Sequence, residues 1–324
     1  MAWPGCTLTS SRMTMASITA PQIVVALGDV EAGLVEPVLA PHQHMIHNPT
    51  EEDLARADAA IVRAAYRVDR ELLDRMPALR VIARTGVGTD LVDVAEANRR
   101  GIPVVITPGS NTASVAEGVF AHLLALVKKL STLTSLVRDG RWEDRSSVHV
   151  GDLEGFTLGI IGYGRIGRRV ARIAEAFDLS VLAFDPFADV PAGSRCDTVE
   201  ELLRRSDFVT LHVPLTQENH NLINAERIAL MPAGAILINC SRGGLVDLDA
   251  AHDALLTGQL AGLGLDVYDP EPPAHHPVFD HQNVVLTPHL MGFTRQGMVH
   301  TVRDAAKGAV DVLAGRTPAA VAAP

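Results

Sequence analysis

Short apolar runs, rich in β-branched residues, recur along this chain with helical segments between them. The runs are Gln22–Leu27 (QIVVAL), Ala57–Val62, Arg80–Arg84 and Pro103–Ile106 in the first third. After an interruption come Thr157–Ile161, Ser180–Phe184, Asp207–Leu211, Ala235–Asn239, Leu260–Val267 and Asn283–Leu286. They are continuous rather than alternately polar and apolar, as strands covered on both faces should be. Alternation of strand and helix predicts parallel sheets joined by right-handed crossovers. The interruption reads as a long apolar helix, Ala113–Val137, followed by the polar stretch Arg138–Gly151. Two series of βα units on either side of it predict two α/β domains, each a doubly wound parallel sheet. A helix over Leu91–Arg100 should stop at Gly101, with Pro103 just beyond. The amphipathic segment Thr294–Leu313 is expected to cross back to the first domain.

Composition narrows the function classes. The 324 residues are 47% hydrophobic and 20% charged, enough for buried cores. The formal net charge of −10 gives no broad basic surface, so nucleic acid is not an expected partner. The three cysteines, Cys6, Cys196 and Cys240, form no C-x-x-C pair and have no metal-ligand spacing, so no metal site is expected. Few cysteines and no membrane-length apolar run fit a cytoplasmic protein that makes no membrane contact. Residues 1–20 are small and polar and read as a disordered extension, with Met13 or Met15 as the true start.

Gly162-Tyr163-Gly164-Arg165-Ile166-Gly167 has the pattern G-x-G-x-x-G, directly after a strand and opening a helix. In that setting Gly162 allows the tight turn, Gly164 lets a pyrophosphate approach the backbone, and Gly167 lets helix pack on strand. The amides of Arg165 and Ile166 would face phosphate from the helix N-terminus. Asp185 ends the next strand, where a carboxylate accepts from adenosine ribose hydroxyls and repels a 2′-phosphate. The reading is therefore NAD rather than NADP. Taken alone, Asp185 fits equally well as a strand-end turn residue before Pro186.

Three polar groups follow later strands, at the edge where open α/β sheets bind ligands. They are Arg242 in NCSRGG, Glu271 in DVYDPEPP and His289 in LTPH. Singly, each also fits a bland role: a solvated arginine, a loop carboxylate, a hydrogen-bonded loop histidine. Together they are what reduction of a 2-keto acid needs. A guanidinium grips a carboxylate in bidentate fashion, an imidazolium delivers a proton, and a carboxylate holds the ring and favours its charged form.

These motifs, with Arg84–Asp90 (RTGVGTD), Asn111–Glu117 (NTASVAE), His212–Thr216 (HVPLT), Asn239–Asp247 (NCSRGGLVD) and Thr287–Thr294 (TPHLMGFT), resemble the D-isomer-specific 2-hydroxyacid dehydrogenases over nearly all of Pro21–Gly315. The resemblance implies a Rossmann NAD domain, 111–292, inserted into a flavodoxin-like substrate-binding domain made of 21–110 and 293–324. It implies Arg242, Glu271 and His289 as catalytic trio. Val87 and Gly88 would bind the substrate carboxylate through backbone amides, with Arg84 and Arg242 as further substrate contacts. Val213 and Pro214 would wall the adenine, Cys240 and Gly292 would line the cofactor, and Asp266 would orient the nicotinamide carboxamide. It further implies a homodimer built on the cofactor domain and the long helix.

One departure stands out: many relatives carry Gly-Gly where this chain has Met291-Gly292, so Met291 and Phe293 predict a bulkier, more apolar wall. The substrate stays open among glyoxylate, hydroxypyruvate, phosphohydroxypyruvate and sulfopyruvate-like anions. Two rival readings are an NAD-sensing, non-enzymatic binding protein, as in a corepressor branch of this fold, and a formate dehydrogenase. The formate branch carries Gln where Glu271 stands.

Overall fold

The computed structural model describes residues 20–63 and 66–323, so the expected disordered extension lies outside the described residues apart from Ala20. The chain divides into two compact units: residues up to Ile106 together with Val302 onward, and Thr107–Thr301.

The first unit runs β1 (Gln22–Leu27), α1 (Ala32–Val35), β2 (Gln43–His47), α2 (Glu51–Ala55), β3 (Ala59–Val62), α3 (Arg70–Asp74), β4 (Val81–Arg84), α4 (Val94–Arg99) and β5 (Val104–Val105). Its parallel sheet has the order β2-β1-β3-β4-β5, which is the flavodoxin-like doubly wound order. Strands β3 and β4 are buried throughout, and the core gathers Val25, Ile82, Leu73 and Met76 between sheet and helices. Short helices start cleanly because side chains take up their first amides: Thr50 and Asp53 form a reciprocal capping box, and Asp69 and Asp93 cap α3 and α4.

The second unit begins with α5 (Thr112–Val127) and α6 (Leu130–Arg138). It continues β6 (Thr157–Ile161), α7 (Arg165–Glu175), β7 (Ser180–Phe184), α8 (Val199–Arg204), β8 (Phe208–Leu211), α9 (Ala225–Ile228), β9 (Ala235–Asn239), α10 (Leu248–Thr257), β10 (Leu260–Leu265) and β11 (Val284–Leu286). Its six strands are parallel, in the order β11-β10-β9-β8-β6-β7. The last helix, α11 (Arg295–Leu313), starts in this unit and ends in the first.

The single long helix expected over Ala113–Val137 is two helices, bent by 58° at Lys129, whose φ is +50°. Tertiary contacts make the break. The Gly151 amide donates to the Val127 carbonyl, and Lys129 Nζ reaches Asn283 Oδ1 at 3.1 Å. Neither partner is local in sequence. Strand β2, QHMIH, has no apolar run to announce it, because it is an edge strand with only Gln43 fully buried. No single helix among the described residues is long and apolar enough to cross a membrane.

Candidate active site

One register row crosses the whole six-stranded sheet: Phe184, Ile161, Leu211, Asn239, Leu265 and Leu286 lie side by side near the strand C-termini. The next residue on each strand is Asp185, Gly162, His212, Cys240, Asp266 and Thr287. Parallel pairing thus brings residues more than a hundred positions apart to one edge of the sheet. The chain order reverses between β6 and β8, which puts the ligand-binding crevice of such a sheet beside Gly162 and His212.

The glycine turn has the shape a dinucleotide requires. Gly162 has φ +98°, and a Cβ there would lie 2.6 Å from the His212 carbonyl oxygen. A Cβ on Gly167 would collide with the Gly162 carbonyl, whereas one on Gly164 would meet nothing within 4 Å. The turn is therefore packed on its inner side and open at Gly164. Gly164 is the N-cap of α7 and supplies no side-chain cap, so the amides of Arg165 and Ile166 stay available for an anion. Asp185 closes the turn: Oδ2 accepts from the Tyr163 amide at 2.7 Å, and Oδ1 from Phe187 and Ala188 at 2.8 and 3.0 Å. A carboxylate offers about four acceptor positions, so one remains for a ribose hydroxyl. These residues fit NAD.

His212 directly follows β8 at this crevice. Burial pushes its imidazole down to about 3, so the ring is neutral. Nε2 pairs with Thr210 Oγ1 at 3.0 Å, while Nδ1 is buried without a hydrogen-bond partner among the described residues. Beyond β8, the Val213 carbonyl accepts from Ser241 Oγ at 2.6 Å and the Pro214 carbonyl from Asn219 Nδ2 at 2.7 Å.

Arg242 is presented by a turn folded on Asn239, which is fully buried. Its Nδ2 donates to the Arg242 carbonyl at 2.8 Å and its Oδ1 accepts from the Ser241 amide. Gly243 then packs so closely on Tyr268 that a Cβ would overlap that backbone, which holds the Arg242 turn against the turn bearing Glu271. Glu271 Oε1 accepts from the Tyr268 amide at 2.9 Å, and Oε2 lies 2.7 Å from His289 Nδ1. Burial raises the Glu271 carboxyl, but the hydrogen bonds from His289 and the Tyr268 amide, with the charges of His289 and Arg242, outweigh it and leave it below its ordinary value. Glu271 and His289 are paired directly, and the Arg242 charge acts on the same carboxylate. Both partners of the pair are a little under two-fifths exposed, and a cavity of about 330 Å³ opens beside them, lined also by Tyr268, Pro272, Leu286 and Pro288.

His289 itself has φ +55°, in the left-handed region that residues other than glycine seldom occupy. The turn is held by Asp266, 1% exposed: Oδ1 accepts from the Leu290 amide at 2.9 Å and from Thr287 Oγ1 at 2.6 Å, and Oδ2 from the Met291 amide at 3.1 Å. Cys240 is buried, its thiol pushed well above the ordinary range by burial. Gly292 faces α5, where a Cβ would lie 2.8 Å from Asn111 Nδ2. Met291 does not make the bulky wall expected of it: its side chain turns onto Gly118 of α5 and joins the core. Phe293 does stand against the histidine ring, edge to face at 6.1 Å.

The remaining expected residues belong to the first unit. Arg84, 5% exposed, donates from Nε to the Gly88 carbonyl at 2.9 Å, so it shapes the loop after β4, at whose tip Val87 is exposed. Among the described residues no group of three or more His, Cys, Asp or Glu is placed to hold a metal.

Residues 120–291 match the family model for the D-isomer specific 2-hydroxyacid dehydrogenase, NAD binding domain. The chain is 39% identical over 254 residues to D-3-phosphoglycerate dehydrogenase of Bacillus subtilis, covering 77% of this chain and 48% of that one. It is 39% identical over 281 residues to glyoxylate reductase of Thermococcus litoralis, covering 82% and 84%. Among solved structures, D-lactate dehydrogenase from Aquifex aeolicus complexed with NAD and lactic acid superposes with a TM-score of 0.78 at 30% identity, covering 91% of this chain and 96% of that one. The chain spans about half the length of the phosphoglycerate dehydrogenases it matches. A glycine turn, a strand-end carboxylate and a cation–acid–imidazole trio on one sheet edge, together with these matches, place the chain in the D-isomer-specific 2-hydroxyacid dehydrogenase family.

Proposed function

We propose that this protein is an NAD-dependent oxidoreductase that interconverts a small D-2-hydroxy acid and its 2-keto acid. The observation that carries this reading is the 2.7 Å pair between His289 Nδ1 and Glu271 Oε2, with the Arg242 charge acting on the same carboxylate. With Nδ1 committed to Glu271, Nε2 is the nitrogen that hands a proton to the carbonyl oxygen in reduction and takes it back in oxidation. Glu271, held below its ordinary value, stays charged and favours the protonated ring. Arg242 grips the substrate carboxylate. Bound NADH supplies the hydride for the carbonyl carbon.

In this reading the unit Thr107–Thr301 holds the cofactor through Gly162, Gly164, Arg165, Ile166, Gly167 and Asp185. Val213, Pro214, Cys240, Asp266 and Gly292 line its further course. Within the first unit, the proposed anion-binding loop is the one after β4, with Arg84, Val87 and Gly88. Asp185 supports NAD over NADP, because its carboxylate would face a 2′-phosphate. The substrate class is a small anion of the kind named for the relatives, such as glyoxylate or 3-phosphoglycerate. Leu130, Val137, Trp142 and Val150 are about half exposed or more, and a second copy of the chain is the proposed cover for these side chains. The buried free thiols Cys196 and Cys240 suit a reducing, cytoplasmic compartment.

The test is a panel of 2-keto acids with NADH or NADPH, followed by loss of reduced-nicotinamide absorbance. Consumption of NADH with at least one acid, and a clear preference for NADH over NADPH, is expected. Binding of NADH with no turnover on any acid would move the reading to a non-enzymatic NAD sensor.

A further inference from the structure

One stripe of α5 faces the loop that carries His289. Ser114 Oγ lies 2.7 Å from Thr294 Oγ1, Gly118 receives Met291, and His122 Nε2 lies 3.1 Å from Thr287 Oγ1. Positions 114, 118 and 122 are one turn apart, so a single helix face follows the loop from Thr294 back to Thr287. The odd member is His122. It is 1% exposed on the buried face of the helix, and burial lowers its pKa, which favours the neutral ring. A neutral buried imidazole has one donor and one acceptor to satisfy.

The neighbours decide which nitrogen carries the proton. Thr287 Oγ1 lies between His122 Nε2 and Asp266 Oδ1, and a hydroxyl has only one proton. Asp266 already accepts from the Leu290 and Met291 amides, so it is the acceptor of the 2.6 Å contact and Thr287 donates to it. Thr287 must then accept from His122, which requires Nε2–H. Nδ1 is left as an acceptor, and it faces Cys240 Sγ at 3.6 Å, a thiol that burial keeps protonated. The Gly118 carbonyl, one turn back, also faces the ring and would hold the opposite tautomer. That arrangement would leave the Thr287 hydroxyl between two acceptors. The order that satisfies every group runs Cys240 S–H to His122, His122 N–H to Thr287, and Thr287 O–H to Asp266.

We propose that His122 is a positioning residue for the reaction. By donating to Thr287 it commits that hydroxyl to Asp266, and Asp266 in turn holds the two amides that fix the left-handed turn at His289. This deepens the function proposed above and rests on it for its kinetic consequences, though not for its structural ones. His122 touches neither His289 nor Glu271; its effect passes through Thr287 and Asp266.

The test uses His122→Leu, His122→Gln, Thr287→Val and the His122→Leu/Thr287→Val double variant of the full chain. The measurements are kcat and KM for a 2-keto acid and amide hydrogen exchange at Leu290 and Met291. His122→Leu should lower kcat by ~10-fold with KM moved by less than about threefold. His122→Gln, whose amide can donate in place of Nε2–H, should recover most of that loss. The double variant should be no slower than Thr287→Val alone. Exchange at the two amides should quicken in His122→Leu and Thr287→Val and stay slow in His122→Gln. Unchanged exchange in His122→Leu, a glutamine variant as impaired as the leucine one, or additive losses in the double variant would each overturn the proposal. If the wild-type chain reduces no keto acid, the proposed function fails while the exchange measurement still decides the role of His122.

Discussion

Two glutamates, one in each unit, show how the same carboxylate is put to different use. Glu96, on α4, is 7% exposed at its side chain and surrounded by guanidinium groups: Arg70 at 2.9 Å, Arg100 at 2.8 Å, and Arg99. Hydrogen bonds from Arg100 and Arg99 pull its carboxyl down to about 2. Glu271 is half-buried, anchored by one amide, and its side-chain partner is an imidazole. Arginine does not give up its proton in any working range, so the Glu96 cluster stores charge and does nothing with it. Imidazole can give up a proton and take it back, so the Glu271 pair can carry one to and from a substrate. What separates a structural ion pair from a chemical one is the partner's ability to change state, more than the acid's own shift.

The sharpest way to break this contrast is to remove the exchanging partner. His289→Asn is preferable to alanine because asparagine tolerates the φ of +55° at this position, so the backbone turn survives. Turnover of the keto acid should fall by at least ~10²-fold while NADH binding, followed by fluorescence, persists. Near-normal turnover would remove His289 from the chemistry and make the two clusters alike. Arg242→Ala should follow, with KM for the keto acid raised by ~10-fold or more, as expected for a lost charge-assisted hydrogen bond. An unchanged KM would refute the clamp.

Glu271→Gln should cost less than either, ~10-fold in turnover, since the amide can still accept from Tyr268 while the charge that favours protonated His289 is gone. The wild-type pH profile sharpens the point. Because the Glu271 carboxyl lies below 4.5, the charge on this acid should persist as pH falls through 4.5 and be lost only lower. A Glu271-dependent loss of turnover at or above 4.5, absent in the glutamine variant, would contradict the electrostatics of the site.

Much of this was legible in the residues. Continuous apolar runs mark strands buried on both faces, the glycine turn follows such a run directly and the trio follows within a few residues, so parallel register brings them near one sheet edge. The illegible parts depend on partners distant in sequence. The bend at Lys129 carries no glycine or proline and is set by Gly151 and Asn283. Met291 reads as a substrate wall until Gly118 on α5 is seen to receive it. His122 sits in the pattern of a core helix, and its partner Thr287 is 165 positions away. Helix periodicity says which face is buried, but not which loop lies on it.

The smallest expected effect on activity comes from the other glutamate. Glu96→Gln should leave kcat and KM at neutral pH unchanged and lower Tm, because three guanidinium groups lose their shared anion. The sign with pH follows from the depressed carboxyl. Its folded value of about 2 lies below the ordinary 4.5, so its stabilisation is complete above 4.5 and disappears as pH falls towards 2. The gap in Tm between wild type and variant should therefore be widest at neutral pH and narrow progressively across that interval, as thermal melts at stepped pH would record. A gap that stayed constant would mean that the arginines hold α4 by packing of their stems rather than by charge. A loss of turnover at neutral pH without loss of stability would place Glu96 in the chemistry and abolish the distinction between the two acids.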